Sequence, residues 1–136
     1  MAAPNIVSVA TITGVTTAIA GVSTAGAVES NKSVGVSTLV VNAASSGKVI
    51  KINSLVVASI GTTTGATVNI YDTAGTHLSA GATVSIATTI SVPTNSSLAV
   101  LDKSNGIYLE ENKQLGIIAQ SNAGTLDVVC SYEEIS

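Results

Sequence analysis

The stretch TLDVVCSYE, residues 125–133, decides the fold class of this 136-residue chain. Its side chains alternate with a period of two: Leu126, Val128, Cys130 and Tyr132 fall on one face, and Asp127, Val129 and Ser131 fall on the other. Successive side chains of a β-strand point to opposite faces, so this pattern predicts a strand with one buried face. No comparable window offers the apolar spacing of an amphipathic helix.

The same alternation recurs along the chain between turn-forming residues. It predicts strands over residues 5–13, 15–20, 35–42, 48–59, 66–72, 83–91, 97–102, 107–110, 114–120 and 125–133. Within the long strand 48–59, Asn53 and Ser54 indicate a bulge or a bend between sheets. Many short strands with regular turns predict an all-β fold, specifically a jelly-roll-like antiparallel β-sandwich. Residues 1–136 should form a single domain, with residues 1–27 as a candidate N-terminal arm or hairpin that contacts a partner.

The composition narrows the classes of function. Charged residues make up 10% of the chain, against about 25% in typical soluble domains, and hydrophobic residues make up 46%. The net charge is −3 and the basic residues are all lysines, without the clusters that bind phosphates, so nucleic-acid binding is not expected. No run reaches the roughly 18 consecutive apolar residues of a membrane-spanning helix, so no membrane partner is expected. Burial against neighbouring protein explains the hydropathy better.

Histidine and cysteine provide no convincing catalytic centre. His77 is the lone histidine, and Asp72 precedes it by five residues, but no serine lies in the Gly-x-Ser-x-Gly elbow of a hydrolase. Cys130 shares the apolar face of its strand and has no basic neighbour in sequence to stabilise a thiolate. It is therefore expected to be a small buried hydrophobe. Within this chain it has no second cysteine with which to form a disulfide.

The acidic residues are expected to be solvated rather than catalytic. Glu110-Glu111 and Glu133-Glu134 are adjacent pairs, and adjacent residues of a strand point to opposite faces, so neither pair can face a sugar from both sides. Cation binding through these carboxylates or Asp102 has no supporting loop pattern. The sequence therefore predicts no catalytic, cofactor-binding or metal-binding residues, and no cofactor.

Six stretches carry a resemblance to a known class of protein: AAPNIV (2–7), SGKVIKINSL (46–55), SVP (91–93), SLAVL (97–101), GIYLEENKQL (106–115) and VVCSYEEIS (128–136). Together they resemble small virion structural proteins of tailed phages that infect marine cyanobacteria, of the capsid decoration or cement kind. The resemblance implies a position on the outside of the head, or else in the tail. Physically, the polar turn Glu111-Asn112-Lys113 between Leu109 and Leu115 predicts a hairpin of the sort found in jelly rolls.

The combined interpretation is a non-enzymatic virion structural protein, a decoration or cement protein that bridges major capsid subunits. Its expected partners are the major capsid protein and further copies of itself, with a trimer favoured. Its expected place is the capsid surface, after synthesis in the host cytoplasm without a signal peptide. The alternatives are a tail- or fibre-associated structural protein, a carbohydrate- or receptor-binding module, and an enzyme of unfamiliar type.

Two structural expectations follow from the pattern. Five apolar residues near the C-terminal strands should share one buried cluster: Leu109, Leu115, Ile117, Leu126 and Val128. The first third of the chain, roughly residues 2–27, carries no charge before Glu29 and is expected to contribute to contacts between chains or with the capsid.

Overall fold

Nine β-strands form in the part of the chain that a computed structural model describes, residues 8–22, 37–62, 64–72, 83–119 and 125–136. In chain order they are β1 (Ile12–Val22), β2 (Ser37–Asn42), β3 (Val49–Ile60), β4 (Thr64–Asp72), β5 (Thr83–Val92), β6 (Ser97–Leu101), β7 (Ile107–Leu109), β8 (Lys113–Ala119) and β9 (Thr125–Ile135). No helix occurs among these residues beyond a single 3₁₀ position at Ser8. The expected all-β class is confirmed.

The strands form two antiparallel sheets that pack face to face as a sandwich. The five-stranded sheet has the order β1-β9-β3-β6, with β7 also paired to β3, and the four-stranded sheet has the order β2-β8-β4-β5. In the first sheet, β3 and β9 run side by side from Val49 opposite Ile135 to Ile60 opposite Thr125. The sandwich is therefore built on pairings between distant parts of the chain.

One apolar core fills the space between the sheets. Its members include Ile52, Leu55 and Val57 of β3, Leu126, Val128 and Cys130 of β9, and Val68, Leu115 and Ile117 of the opposing sheet. All five residues expected in a common cluster belong to it, so that expectation is confirmed. The side chains are mostly Val, Ile and Leu, whose branched shapes suit the pleated surface of a sheet.

A bulge divides β3 at the position that the sequence indicates. The register of β3 against β9 shifts between Ile52 and Ser54, so the expected bulge at Asn53-Ser54 is confirmed. On its other side, β3 pairs with β7 up to Ile52 and with β6 from Leu55 onward. Gly106, in the turn between those strands, leaves no room for a side chain, because a Cβ there would lie 2.7 Å from the Ile52 carbonyl oxygen.

Gly14 does not interrupt the first strand. The two strands predicted over 5–13 and 15–20 are replaced by β1, which begins at Ile12 and pairs with β9 through Gly14 opposite Glu133. A Cβ at Gly14 would contact nothing within 4 Å, and its backbone is outside the left-handed region. The glycine therefore adopts ordinary extended backbone and does not act as a turn. Residues 1–7 lie outside the described residues.

The predicted hairpin around Glu111-Asn112-Lys113 is wrong. β7 pairs with β3 in one sheet, whereas β8 pairs with β2 and β4 in the other. The turn therefore carries the chain across the sandwich, with Asn112 in a left-handed conformation at φ 65°. Turn chemistry predicts that the chain reverses, but the choice of pairing partner depends on distant strands.

Asn42 ties the two sheets together at this crossing. Its buried side-chain amide donates hydrogen bonds to the carbonyl oxygens of Lys48, at 2.9 Å, and Leu109, at 3.0 Å. Its Oδ1 accepts a hydrogen bond of 2.5 Å from the Ser46 hydroxyl. Since β2 and β7 belong to different sheets, one side chain joins both sheets and the loop that enters β3.

Leu126→Ala should destabilise the fold by about 2–4 kcal/mol, because it leaves a cavity beneath a completely buried side chain. Chemical denaturation followed by circular dichroism measures the change. Val129→Ala, on the exposed face of the same strand, is the matched control and should cost under about 1 kcal/mol. Equal losses in the two variants would contradict the assignment of Leu126 to the core.

Asn42→Ala should cost about 2–4 kcal/mol, because two carbonyl oxygens and one hydroxyl lose their partner at a buried position. The same denaturation experiment measures it. Val41→Ala, at the exposed neighbouring position of β2, should have a small effect. If Asn42→Ala is no more damaging than Val41→Ala, the amide does not hold the two sheets together.

Candidate interaction surfaces

Cys130 lies in the core between the sheets. Its side chain is completely buried, opposite Thr17 of β1 on one side and Leu55 of β3 on the other. Burial raises the pKa of the Cys130 thiol from an ordinary value of 9.0 to about 11. At neutral pH the thiol is therefore protonated and inaccessible, which confirms the interpretation as a small hydrophobe.

The acidic candidates take part in structural contacts at one end of the sandwich. Glu134 forms an ion pair of 2.6 Å with Lys48, and Asp72 forms one with Lys113. The Glu111 carboxylate accepts a 2.7 Å hydrogen bond from the backbone N–H of Gly47. Within the described ranges, no three acidic, histidine or cysteine side chains group as a metal site would require. His77 lies outside the described residues.

Asp102 closes the turn that follows β6. Its Oδ1 accepts hydrogen bonds from the hydroxyl of Ser104, at 2.5 Å, from the N–H of Ser104, at 2.8 Å, and from the N–H of Asn105, at 3.3 Å. The hydrogen bond from the Ser104 hydroxyl, followed by that from its N–H, lowers the pKa of Asp102 below its ordinary 3.8. The Asp102 carboxylate therefore stabilises the conformation of this turn.

Charge is concentrated at one end of the molecule. Eight charged residues lie where β3 begins and β9 ends, a region called the charged end below: Lys48, Lys51, Asp72, Glu110, Glu111, Lys113, Glu133 and Glu134. At the opposite end, the described turns 61–62 and 93–96 contain no charged residue. A hydrogen bond of 3.2 Å from the Gly61 N–H to the Asn95 side chain joins these turns. These two turns together are called the uncharged end; Asp127 of β9 lies near them, opposite Ala58.

The outer face of the five-stranded sheet carries small side chains. Ala18, Val129, Val56 and Ala99 form one cross-strand row that runs from the β1 edge to the β6 edge. Thr16, Ser131 and Ser54 form the next row. Val129 is 43% exposed although it lies in the middle of the sheet. Such a face is flat and weakly polar, and it is free of charge across these two rows.

Five strands form the four sheet edges among the described residues, because β6 and β7 share one edge, and three of these edges have features that discourage pairing with another chain. β2 is short and has a register shift, and β5 has two shifts and a left-handed Thr89 at φ 47°. The β6–β7 edge is interrupted by the turn that contains Asp102 and Lys103.

The fourth edge, β1, lacks these features over residues 12–19. It has 11 residues, no charge and no proline, and its pairing with β9 is regular from Ile12 to Ile19. The register shifts only beyond Ile19, where the Gly21 N–H donates a 2.9 Å hydrogen bond to Asp127. Residues 14–20 of this strand are called the β1 edge below. The sequence assigned partner contacts to residues 2–27 as a whole, but it did not predict this continuous edge because the two predicted strands were divided at Gly14.

Few aromatic side chains are exposed on this protein for stacking against a sugar ring. Tyr71 is buried and its hydroxyl shares a 2.8 Å hydrogen bond with the Thr38 hydroxyl, while Tyr132 packs against the core. Tyr108, which is 51% exposed, is the one exposed aromatic residue, all three tyrosines being described.

Across the described ranges, no helix is long and apolar enough to span a membrane.

Comparison with known proteins identifies a likeness of fold. No family model matches this chain, and no curated protein sequence matches it. Among solved structures, the chain is similar to one from Bacillus endospore appendages, which form a family of disulfide-linked pili. The match has 16% identity and a TM-score of 0.51, and it covers 93% of this chain and 88% of that one.

A chain of the cyanophage Pam1 capsid asymmetric unit also matches, with 13% identity over 98% of this chain and 91% of that one. Its TM-score of 0.33 is too low to support any argument. What the comparisons show is therefore that this sandwich shares its fold with the endospore appendage protein.

Proposed function

We propose that this protein is a non-enzymatic structural subunit of a virion, and specifically a capsid decoration or cement protein that bridges major capsid subunits. The observation that carries the proposal is the separation of charge on its surface. Eight charged residues gather at the charged end, whereas among the described residues the turns 61–62 and 93–96, the β1 edge and the two central rows of the outer sheet face have none. A surface divided in this way suits a molecule that neighbours cover on several sides.

Exposed apolar side chains also support the proposal that neighbouring subunits cover the uncharged end and the outer sheet face. Ile60, beside the turns of the uncharged end, and Val129, on the outer face, are both substantially exposed. Contact with a capsid subunit at these places would remove apolar area from water. The charged end, with its ion pairs already satisfied inside the chain, would then face solvent and maintain solubility.

The strand order supports the jelly-roll form of the sandwich. The chain changes sheet at each connection except β4 to β5 and β6 to β7, and the orders β1-β9-β3-β6 and β2-β8-β4-β5 place the first and last strands side by side. A jelly roll has eight strand positions arranged as two Greek keys, and these two orders match it when β6 and β7 are counted together as one edge strand. The single-domain assignment is proposed on the same ground, since strands from residues 12 to 135 share these two sheets.

The proposal places a partner contact within residues 1–27, and the described part of this range contains β1; residues 1–7 and 23–27 lie outside the described residues. β1 belongs to the sandwich and is not a separate arm, so its contribution is an edge and an outer surface. A small homo-oligomer is part of the proposal. The trimer favoured from the sequence would place the protein at threefold positions of a shell.

A second candidate is a subunit of a tail or fibre. The shared fold with a pilus-forming protein favours it, because that protein assembles into an extended structure. The two candidates differ in the number of copies that a particle needs.

The copy number per particle tests the proposal. Quantitative mass spectrometry of virions purified from lysates of the cells that make the chain should find hundreds of copies for a decoration protein, with the major capsid protein as the internal standard. About a dozen copies or fewer would assign it to the tail. If the chain is abundant in the lysate but missing from washed particles, the virion assignment is wrong.

Assembly should not depend on cysteine. Cys130 is the single cysteine of these 136 residues and it is buried, so it cannot form the links of a disulfide-linked polymer while the sandwich is folded. Oligomer mass and particle attachment should therefore be the same with and without a reducing agent, and the same in Cys130→Ala after correction for stability. Dissociation by reductant would contradict this expectation.

A further inference from the structure

The inward side chains of the β1 edge are incompletely covered. Val15, Thr17 and Ile19 point towards the core, opposite Tyr132, Cys130 and Val128 of β9, yet each is only half-buried. Their neighbours on β9 are shielded by strands on both sides, whereas β1 has a neighbour on one side only among the strands that the structure describes. A further strand beside β1 would cover Val15 and Ile19 and would pair the outward-facing backbone groups of the edge.

The residues of the β1 edge are similar in type at equal distances on either side of Thr17. On the inward face, Val15 and Ile19 lie at equal distances from Thr17, and both are β-branched and apolar. On the outward face, Thr16 is matched by Ala18 and Gly14 by Ala20, so every facing pair would be small. Cross-strand pairs of this kind, including a central Thr–Thr pair, are favourable in antiparallel sheets.

We propose that β1 pairs antiparallel with β1 of a second copy of this chain, about a two-fold axis at Thr17. In this register Val15 lies beside Ile19 of the second copy, and Thr16 lies opposite Ala18 of the second copy. The five-stranded sheets of the two copies join into one continuous sheet. The ladder ends at Ala20, because the Gly21 N–H is already bonded to Asp127.

Charge favours a second copy in this orientation over other occupants of the edge. A strand with charged residues that pairs with its own copy brings like charges close together, and β1 has none. Ile12 lies at the charged end, opposite Ile135, and Val22 lies towards the uncharged end. Antiparallel pairing therefore places the charged end of each copy beside the uncharged end of the other, so the two groups of eight charged residues do not face each other.

This contact is isologous, so it produces dimers or larger assemblies with an even number of chains. It does not depend on where the protein sits in a particle. A trimer requires a different, heterologous contact, and the measured mass separates the two arrangements.

Ala18→Lys tests the pairing against a closely matched control. Ala18 and Ala99 are both exposed alanines, and they lie at the two ends of the same cross-strand row, on β1 and β6. Sedimentation equilibrium at micromolar concentration should give twice the 13.4 kDa chain mass for the wild type and for Ala99→Lys. Ala18→Lys should give the mass of one chain, because a lysine on an edge blocks pairing. Circular dichroism melting checks that both variants are folded.

A charge exchange tests the register. In the double variant Thr16→Glu with Ala18→Lys, the glutamate of each copy lies opposite the lysine of the other, so the dimer mass should return and should fall again at high salt. A register centred on Thr16 would instead place glutamate opposite glutamate and give no recovery.

A monomeric or trimeric wild type, or equal masses for Ala18→Lys and Ala99→Lys, would overturn the proposed pairing. Loss of dimer in Ala18→Lys without recovery in the double variant would overturn the register. If the dimer and its recovery are observed but the protein is missing from virions, the pairing stands and the proposed virion role fails.

Discussion

The antiparallel ladder between β3 and β9 is the interaction on which the rest of the structure depends. Among the described strands, β1 pairs only with β9, and β6 and β7 pair only with β3, so the five-stranded sheet cannot exist before β3 and β9 meet. The ladder brings residues 49–60 together with residues 125–135, which are far apart in the chain. Contacts of such long range must overcome a large loss of chain entropy, so the sandwich is expected to fold slowly compared with domains rich in local contacts.

Local alternation predicted much of the fold, because each strand with one buried face leaves a period of two in its sequence. The boundaries of β3 and β9 and the bulge at Asn53-Ser54 were readable for this reason. The predictions that were wrong concerned features that depend on which distant strands pair with each other. Gly14 resembles a turn residue, but it lies in extended backbone against Glu133. The chain between Leu109 and Leu115 does turn, yet its two flanking strands find partners in different sheets.

The candidate surfaces were harder to predict than the core, since they depend on which backbone groups are left unpaired. The burial of Cys130 followed from its phase with Leu126 and Val128. The role of Asn42 did not, because nothing in the sequence distinguishes this asparagine, the last residue of a predicted strand, from one that is exposed, while its amide joins two sheets. The open β1 edge emerges only when the strand order is known, because no sequence pattern shows which strand is left without a second neighbour.

The pairing of β1 with β9 also determines how the sandwich resists mechanical force. Ile12 lies opposite Ile135, so the beginning of one strand and the end of the other emerge side by side. Tension applied between these two points would pull β1 away from β9 along the direction of the hydrogen bonds. The bonds run perpendicular to the strands, so they would break one after another. Tension applied along the strands, from the Ile12 end of β1 to the Thr125 end of β9, would instead load many bonds at once. The sandwich is therefore mechanically anisotropic, and it can transmit a pull far better along its strands than by its adjoining ends.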